Sequence, residues 1–248
     1  MTLPEFDAVV LDVLGTLVDE PAGLRAGLRE FGPHLDEPAI EELVELWQRH
    51  IELEQRRVLD GARPYAVSDA LDREAARAVA EAAGVDDPAA EAALALSARK
   101  LPPWPDTGAG LARLAERYPL IGLSNASRTA LLGINAHAGL RWHQALSAED
   151  ARTYKPDPEV YRLAVTLSGV PPERLLMVAA HAWDLRGAQD LGLRTAYVAR
   201  PVGDPPGPFD RFDLYADDLV GLAGRLGHAP PGPAARPGGR RAVTWPVR

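Results

Sequence analysis

The chain has 248 residues, of which 46% are hydrophobic and none is cysteine, and its net charge is -8. This length suits one large domain or a core with an insertion. The lack of cysteine excludes disulfides, thiolate nucleophiles, zinc–thiolate sites and iron–sulfur clusters, so covalent catalysis has to use oxygen or nitrogen.

The charge is distributed unevenly along the chain. Residues 227–248 carry four arginines and no acid, so the remaining residues carry a net charge of -12. An acidic body of this kind argues against a nucleic-acid partner. No apolar run approaches the ~18–20 residues of a membrane span, and the N-terminus lacks the features of a signal peptide. We therefore expect a cytoplasmic protein without a membrane partner.

The first predicted element is a buried strand at residues 8–11, which leads into Asp12 and a tight turn at Gly15 and Thr16. From about residue 20 to residue 99 the apolar residues recur at the spacing of an amphipathic helix, and we predict no strand there. Examples of this spacing are Ile40, Leu43, Val44 and Trp47.

Beyond the proline-rich residues 102–105, short apolar runs alternate with helical patterns. Strands are predicted at residues 120–123, 175–180 and 195–199, and helices at 128–138, 158–168 and 185–191. The alternation predicts an α/β fold: a Rossmann-like, doubly wound parallel sheet with an inserted helical cap domain. Residues 1–18 and 101–226 are expected to form the core and residues 19–100 the cap. Residues 227–248 are predicted to be a disordered basic tail.

Polar residues follow the predicted strands at several points, and open α/β sheets bind ligands at the carboxyl ends of their strands. These residues are Asp12 with Gly15 and Thr16, Ser124 with Asn125, Lys155, and His181 with Asp184. Taken alone, each has an ordinary structural explanation, such as a helix cap or a surface lysine.

In this order the motifs resemble those of the haloacid dehalogenase superfamily. They are Asp-x-x-Gly-Thr-Leu at residues 12–17, Leu-Ser-Asn at 123–125, Tyr-Lys-Pro-Asp at 154–157 and His-Ala-Trp-Asp at 181–184. Trp-Pro-Asp at 104–106 and Arg-Thr-Ala at 194–196 are similar to the type II 2-haloacid dehalogenases. The resemblance implies that Asp12 is a nucleophile that forms an ester, and that Lys155 holds Asp12 ionised and oriented.

Leu14 distinguishes this chain from the phosphatases of that superfamily, which place a second Asp at this position to protonate the departing alkoxide. The Asp that helps those phosphatases to bind magnesium aligns with Ala180. We therefore expect no metal and no other cofactor. Halide leaves without a proton, so Leu14 favours attack on carbon. Type II dehalogenases carry Tyr at this position, and Leu14 is expected to line a reshaped pocket.

The resemblance also implies a binding site for a substrate carboxylate, formed by Thr16, Ser124 and Asn125. An Arg from the first cap helix grips the carboxylate or the departing halide in the family. Simple alignment places Gln48 at that site and Arg49 beside it. Because one residue turns a helical side chain by ~100°, the two face different directions, and both stay candidates.

Two aromatic residues of the predicted cap are further candidates for the pocket lining. They are Trp47 and Tyr65. An amphipathic cap helix would bury such side chains in any case.

The last motif offers two ways to activate the hydrolytic water. His181 can act as the base while Asp184 orients and polarises it, or Asp184 can activate water directly while His181 lines the pocket. Type II dehalogenases have Ser-x-Asn-x-x-Asp here, so His181 is a departure from them.

The first functional hypothesis is a hydrolytic dehalogenase that converts small 2-haloacids into 2-hydroxy acids through an ester on Asp12. The alternative is an epoxide hydrolase of the epoxysuccinate type, whose last motif also resembles His-x-x-Asp. A phosphatase or a non-catalytic scaffold is less favoured. The expected partner is a small-molecule carboxylate, and a homodimer is left open.

Overall fold

The computed structural model describes residues 5–227, and a six-stranded parallel sheet lies at its centre. The strands are β1 (Ala8–Asp12), β2 (Leu120–Ser124), β3 (Gln144–Ser147), β4 (Leu175–Ala179), β5 (Arg194–Val198) and β6 (Leu214–Ala216). Their order across the sheet is β3-β2-β1-β4-β5-β6. The order reverses beside β1, and sheets of this kind bind ligands at the C-terminal strand ends near the reversal.

Helices cover both faces of the sheet. Those that follow the insertion are α5 (Thr107–Ala115), α6 (Arg128–Ala138), α7 (Pro158–Ser168), α8 (Ala182–Asp190) and α9 (Leu219–Gly227). Successive side chains of a strand point to opposite faces. Val9 and Leu11 of β1 accordingly belong to one core with residues of α5, α6 and α9, whereas Ala8 and Val10 belong to a second core with residues of α7 and α8. The predicted doubly wound α/β class is confirmed.

Residues 20–99, which we call the helical insertion, lie between β1 and α5. They contain α1 (Glu20–Phe31), α2 (Glu37–Leu59), α3 (Ser68–Ala83), α4 (Pro88–Ala95) and a 3₁₀ turn (Ser97–Arg99), and this stretch has no strand, as predicted. Asp19 and Asp36 cap α1 and α2 by accepting hydrogen bonds from backbone N–H groups of the first turn. The insertion has a hydrophobic core of its own, which includes Leu28, Val44 and Val79.

The predicted bounds of two helices, at residues 128–138 and 158–168, are confirmed. Helix α8 begins at Ala182 rather than 185, because extended backbone at His181 places that residue at the N-cap. The two edge strands β3 and β6, four and three residues long, were not predicted. The proposed bounds of core and cap stay predictions, and residues 228–248 of the predicted tail lie outside the described residues. No helix within residues 5–227 is long and apolar enough to cross a membrane.

Candidate active site

Asp12 is the last residue of β1 and lies at the floor of a cleft between the sheet and the helical insertion. It is 5% exposed. Its Oδ2 accepts a hydrogen bond of 2.6 Å from Thr16 Oγ1, which in turn accepts one of 2.9 Å from the backbone N–H of Ala180. The turn after β1 and the end of β4 therefore fix one carboxylate oxygen of Asp12.

Lys155 fixes the other oxygen of Asp12. Its Nζ donates to Asp12 Oδ1 at 2.9 Å and to Asp184 Oδ2 at 2.8 Å, and the side chain is buried. Asn125 Oδ1 accepts a hydrogen bond of 2.8 Å from the backbone N–H of Lys155, which ties its loop to the end of β2. Burial alone would lower the pKa of Lys155, but the two carboxylates outweigh it and the pKa is raised.

Asp184, in the first turn of α8, is completely buried behind Lys155. Its Oδ1 accepts a hydrogen bond of 2.7 Å from the hydroxyl of Tyr161. Burial raises the pKa of Asp184, and the charge of Lys155 offsets this only in part. Tyr161 was not predicted from the sequence as a site residue, although its place in α7, six residues after Lys155, was a usable signal.

His181 lies at the edge of the cleft. Its Nε2 is 3.2 Å from the carbonyl oxygen of Leu14, and its ring stacks on Trp183 with 5.7 Å between the centroids. We assign the Nε2 proton to the bond with Leu14, which leaves Nδ1 as the basic nitrogen. The imidazole covers Gly15, where a Cβ would lie 2.5 Å from Nε2, and Gly15 has a φ of 73°. Glycine at this position avoids both a clash with the ring and the strain of a side chain at positive φ.

In the part of the chain that the structure describes, the imidazole of His181 and the carboxylate of Asp184 form no hydrogen bond with each other. The carboxylate is instead bound by Lys155 and Tyr161. The prediction that Asp184 orients His181 is therefore corrected. The reason is that the first turn of α8 directs Asp184 into the core while His181 stays at the cleft.

The cleft has a volume of about 730 Å³. From the core it is bordered by Asp12, Leu14, Asn125, Lys155, Pro156, Asp157, His181 and Trp183, and from the insertion by Glu20, Gln48, Ile51, Glu52, Gln55, Arg56, Leu59 and Asp60. Burial raises the pKa of the Glu20 carboxyl, and the nearby charge of Asp12 adds to the rise. Glu20 and the later residues of α2 were not predicted from the sequence as site residues.

Helix α2 resolves the open choice between Gln48 and Arg49. Gln48 borders the cleft, whereas Arg49 points away from it, with a 65% exposed side chain that binds Glu45 at 3.1 Å. The candidate Arg49 is therefore wrong. Trp47 is corrected too, because it is 2% exposed within the core of the insertion and does not border the cleft. Tyr65 packs on Tyr154, with 5.4 Å between the ring centroids.

A family model for haloacid dehalogenase-like hydrolases matches residues 6–192. The chain belongs to this family. It is 32% identical over 204 residues to (S)-2-haloacid dehalogenase 4A of Burkholderia cepacia. The aligned region covers 80% of this chain and 85% of that protein. The chain spans about half the length of other curated relatives, namely 46% and 52% of two (S)-2-haloacid dehalogenases of Pseudomonas putida.

Solved structures of haloacid dehalogenases have the same fold. The L-2-haloacid dehalogenase PA0810 superposes with a TM-score of 0.81 at 36% identity, covering 89% of this chain and 99% of that one. The L-2-haloacid dehalogenase of Xanthobacter autotrophicus with covalently bound chloropropionic acid superposes with a TM-score of 0.78 at 25% identity, covering 90% and 99%. The resemblance drawn from the motifs is confirmed at the level of the family.

Two predicted substrate ligands of this haloacid dehalogenase-like hydrolase lie behind the cleft rather than along it. Thr16 and Ser124 are fully buried and do not border the cleft. Ser124 Oγ accepts a hydrogen bond from the backbone N–H of Ala126. Thr16 positions Asp12, and Ser124 fixes the turn after β2, so direct contact with substrate is corrected to positioning. Ser127, not Ser124 or Asn125, caps α6.

The carboxylates nearest to each other at the site do not suit a divalent cation. Asp12 and Asp184 both bind the ammonium of Lys155, whose charge takes the position between them. Within residues 5–227, no group of three or more His, Asp or Glu side chains is arranged to hold a metal ion. Magnesium prefers six oxygen ligands, so this donor set does not fit it.

Proposed function

We propose that the protein is a hydrolytic dehalogenase of (S)-2-haloacids that works through an ester on Asp12. The observation that carries the proposal is the Asp12 carboxylate at the cleft floor, bound by Lys155 Nζ at 2.9 Å and by Thr16 at 2.6 Å. The names of the relatives support the same reaction. Location in the cytoplasm stays a prediction from the sequence, and assembly as a homodimer stays open.

In the first step a carboxylate oxygen of Asp12 attacks the carbon that bears the halogen. A C–O bond forms, the carbon–halogen bond breaks, and halide leaves with the bonding electrons, so the carbon is inverted. Halide needs no proton to leave, which agrees with Leu14 at the position of the phosphatase acid. Lys155 supplies the counter-charge to Asp12 for this attack because its own raised pKa leaves it protonated.

In the second step water attacks the carbonyl carbon of the Asp12 ester. His181 takes the water proton at Nδ1, since it borders the cleft whereas Asp184 is buried behind Lys155. The bond between this carbonyl carbon and the substrate oxygen then breaks, and the proton goes to the departing alkoxide, giving a 2-hydroxy acid. Asp12 keeps one oxygen from the water, and loss of the second water proton to solvent regenerates its carboxylate.

The epoxide alternative keeps the same nucleophile but needs a proton for the ring oxygen. Halide release is favoured over it because the matched relatives named above are haloacid dehalogenases. The small-molecule substrate is accordingly a 2-haloacid, whose carboxylate Asn125 would bind through its side-chain amide at the cleft.

Single-turnover hydrolysis in ¹⁸O-labelled water tests the ester. The product hydroxyl should be unlabelled in the first turnover, because its oxygen comes from Asp12, and label should accumulate in Asp12. A hydroxyl labelled from the first turnover would show direct attack by water and overturn the ester mechanism.

Chloride release from 2-chloropropionate, compared with diol formation from an epoxy acid, tests the reaction class. The Asp12→Asn variant should lose chloride release while keeping the wild-type melting temperature within a few degrees. Asp86→Asn, at an exposed position of the insertion, is the matched control and should keep full activity. Chloride release by Asp12→Asn at the wild-type rate would contradict the proposal.

A further inference from the structure

The cleft is large for a three-carbon haloacid. Pockets that enclose drug-sized ligands have volumes of about 300–1,000 Å³, and this cleft, at about 730 Å³, lies well inside that range. The volume extends from Asp12 along the helical insertion, so space remains beyond the reacting carbon. A longer substrate can use it.

One face of α2 forms the wall of this extra space. Gln48, Ile51, Gln55, Arg56 and Leu59 all border the cleft, at the three- and four-residue spacing of one helix face. With a rise of 1.5 Å per residue, Arg56 lies about 12 Å further along the axis than Gln48. The wall therefore runs from an amide past an apolar side chain to a guanidinium.

The charges around the cleft single out Arg56. Acidic side chains dominate its border: Asp12, Glu20, Glu52, Asp60 and Asp157. Among the described residues that border the cleft, one is a lysine, Lys155, and one is an arginine, Arg56. Lys155 is buried between two carboxylates and stays bound to them. Arg56 is the cation that a second anionic group can reach.

Arg56 can exchange its present partner for a ligand. It binds Glu52 at 3.1 Å, but the two side chains are 66% and 71% exposed. Exposed ion pairs between residues four apart contribute little to stability and are screened by salt. A substrate carboxylate can therefore replace Glu52 at little cost, and a guanidinium binds a carboxylate with two parallel hydrogen bonds.

We propose that Arg56 binds a second carboxylate of the substrate, so that the preferred substrates are 2-halodicarboxylic acids with an apolar spacer. The halogen-bearing carbon lies at Asp12, the spacer passes Ile51, and the distal carboxylate binds the guanidinium. Arg56 determines specificity and takes no part in bond making. This inference rests on the proposed dehalogenase function.

Kinetics with a matched pair of substrates test the proposal. The wild type should show kcat/KM about tenfold or more higher for 2-chloroadipate than for 2-chlorohexanoate, which has the same length but no distal carboxylate. Arg56→Ala should raise KM for 2-chloroadipate by about tenfold with kcat nearly unchanged, and should leave 2-chlorohexanoate unaffected. Arg56→Lys should restore part of the loss, because a lysine keeps the charge but not the two parallel bonds.

Arg49→Ala is the matched control. Arg49 is also an exposed arginine of α2 paired with a glutamate four residues earlier, but it points away from the cleft. It should behave as the wild type with both substrates. Equal kcat/KM of the wild type for the two substrates, or an equal loss on both in Arg56→Ala, would overturn the proposal.

Binding without turnover separates this inference from the proposed function. Adipate should raise the melting temperature of the wild type and of Arg49→Ala more than hexanoate does, and this difference should vanish in Arg56→Ala. Adipate binding of this kind with no chloride release from any haloacid would refute the dehalogenase and keep the dicarboxylate site. Chloride release from 2-chloropropionate without any preference for dicarboxylates would refute only the proposed role of Arg56 and would leave the dehalogenase function in place.

Discussion

Replacement of Lys155 by methionine most directly tests the buried ion pairs that Lys155 forms with Asp12 and Asp184. Lys155 and Asp184 have 1% and 0% of their side chains exposed, and Asp12 has 7%. Methionine keeps much of the volume but removes the charge that both carboxylates share. Removal of one partner from a buried ion pair costs about 3–5 kcal/mol, because the remaining charge stays buried without compensation.

That cost predicts a large thermal effect. For a domain of this size, 1 kcal/mol shifts the melting temperature by about 2–4 °C, so Lys155→Met should melt roughly 6–20 °C below the wild type. The chain has two lysines, and the second, Lys100, is exposed. Lys100→Met is therefore the matched control and should change the free energy of unfolding by less than about 0.5 kcal/mol.

The loss of unfolding free energy in Lys155→Met should also depend on pH. Loss of Lys155 raises the already raised pKa of Asp184 further, since its charge lowers that pKa in the wild type. A carboxyl whose pKa is higher in the folded state stabilises the fold most below its unfolded pKa of about 3.9, and this contribution is lost as pH rises through the folded pKa. The difference between Lys155→Met and the wild type should therefore be smaller at pH 5 than at pH 8.

Urea unfolding followed by circular dichroism at both pH values measures this difference. A variant that stays within about 1 kcal/mol of the wild type at pH 8, or a deficit that does not shrink at pH 5, would refute the reasoning about the buried charge. Chloride release should be lost in Lys155→Met at either pH, because Asp12 then lacks its counter-charge.

Two further pairs of variants separate strain and hydrogen bonding from catalysis. Gly15→Ala and Gly139→Ala both place alanine at positive φ, which should cost about 1–2 kcal/mol in urea unfolding at Gly139 and more at Gly15, where the methyl group also meets the imidazole of His181. Only Gly15→Ala should lower kcat, because Gly139 faces open space. Equal kcat in the two variants would contradict this. Tyr161→Phe removes the hydroxyl that donates to Asp184, which should raise the pKa of Asp184 in an NMR titration of its carboxyl carbon. Tyr154→Phe, which loses a partly buried bond to a carbonyl of the insertion, should cost stability and leave that pKa in place, and a shift in both variants would exclude a specific effect on Asp184.

The site is assembled from two parts of the chain that pack on each other through polar contacts. Asn125 Nδ2 donates to Gln55 of α2 at 3.1 Å, and the backbone N–H of Ser127 donates to Ser68 of α3 at 2.8 Å. The core contributes Asp12 and Lys155, whereas the insertion contributes one wall of the cleft. Substrate preference can therefore differ between relatives that share the motifs of the core.

Much of the core was readable from the sequence. The strand ending at Asp12 is apolar at each position before Asp12 because both faces of a doubly wound sheet are covered, and such runs are visible without a structure. Helices α6 and α7 were predicted with the observed bounds, since helical spacing and turn residues delimit them. The resemblance of the motifs to the haloacid dehalogenase superfamily is what brought Asp12, Lys155 and Asp184 together as candidates.

Side-chain directions and long-range partners required the tertiary structure. Neighbouring helical residues point about 100° apart, so Gln48 borders the cleft while Trp47 is buried and Arg49 is exposed. Asp184 was expected at His181 but binds Lys155, 29 residues earlier in the chain. Local sequence determined which segments become strands and helices, because propensity and burial are properties of short stretches. Which charges meet was decided by packing between distant segments, and no short stretch encodes it.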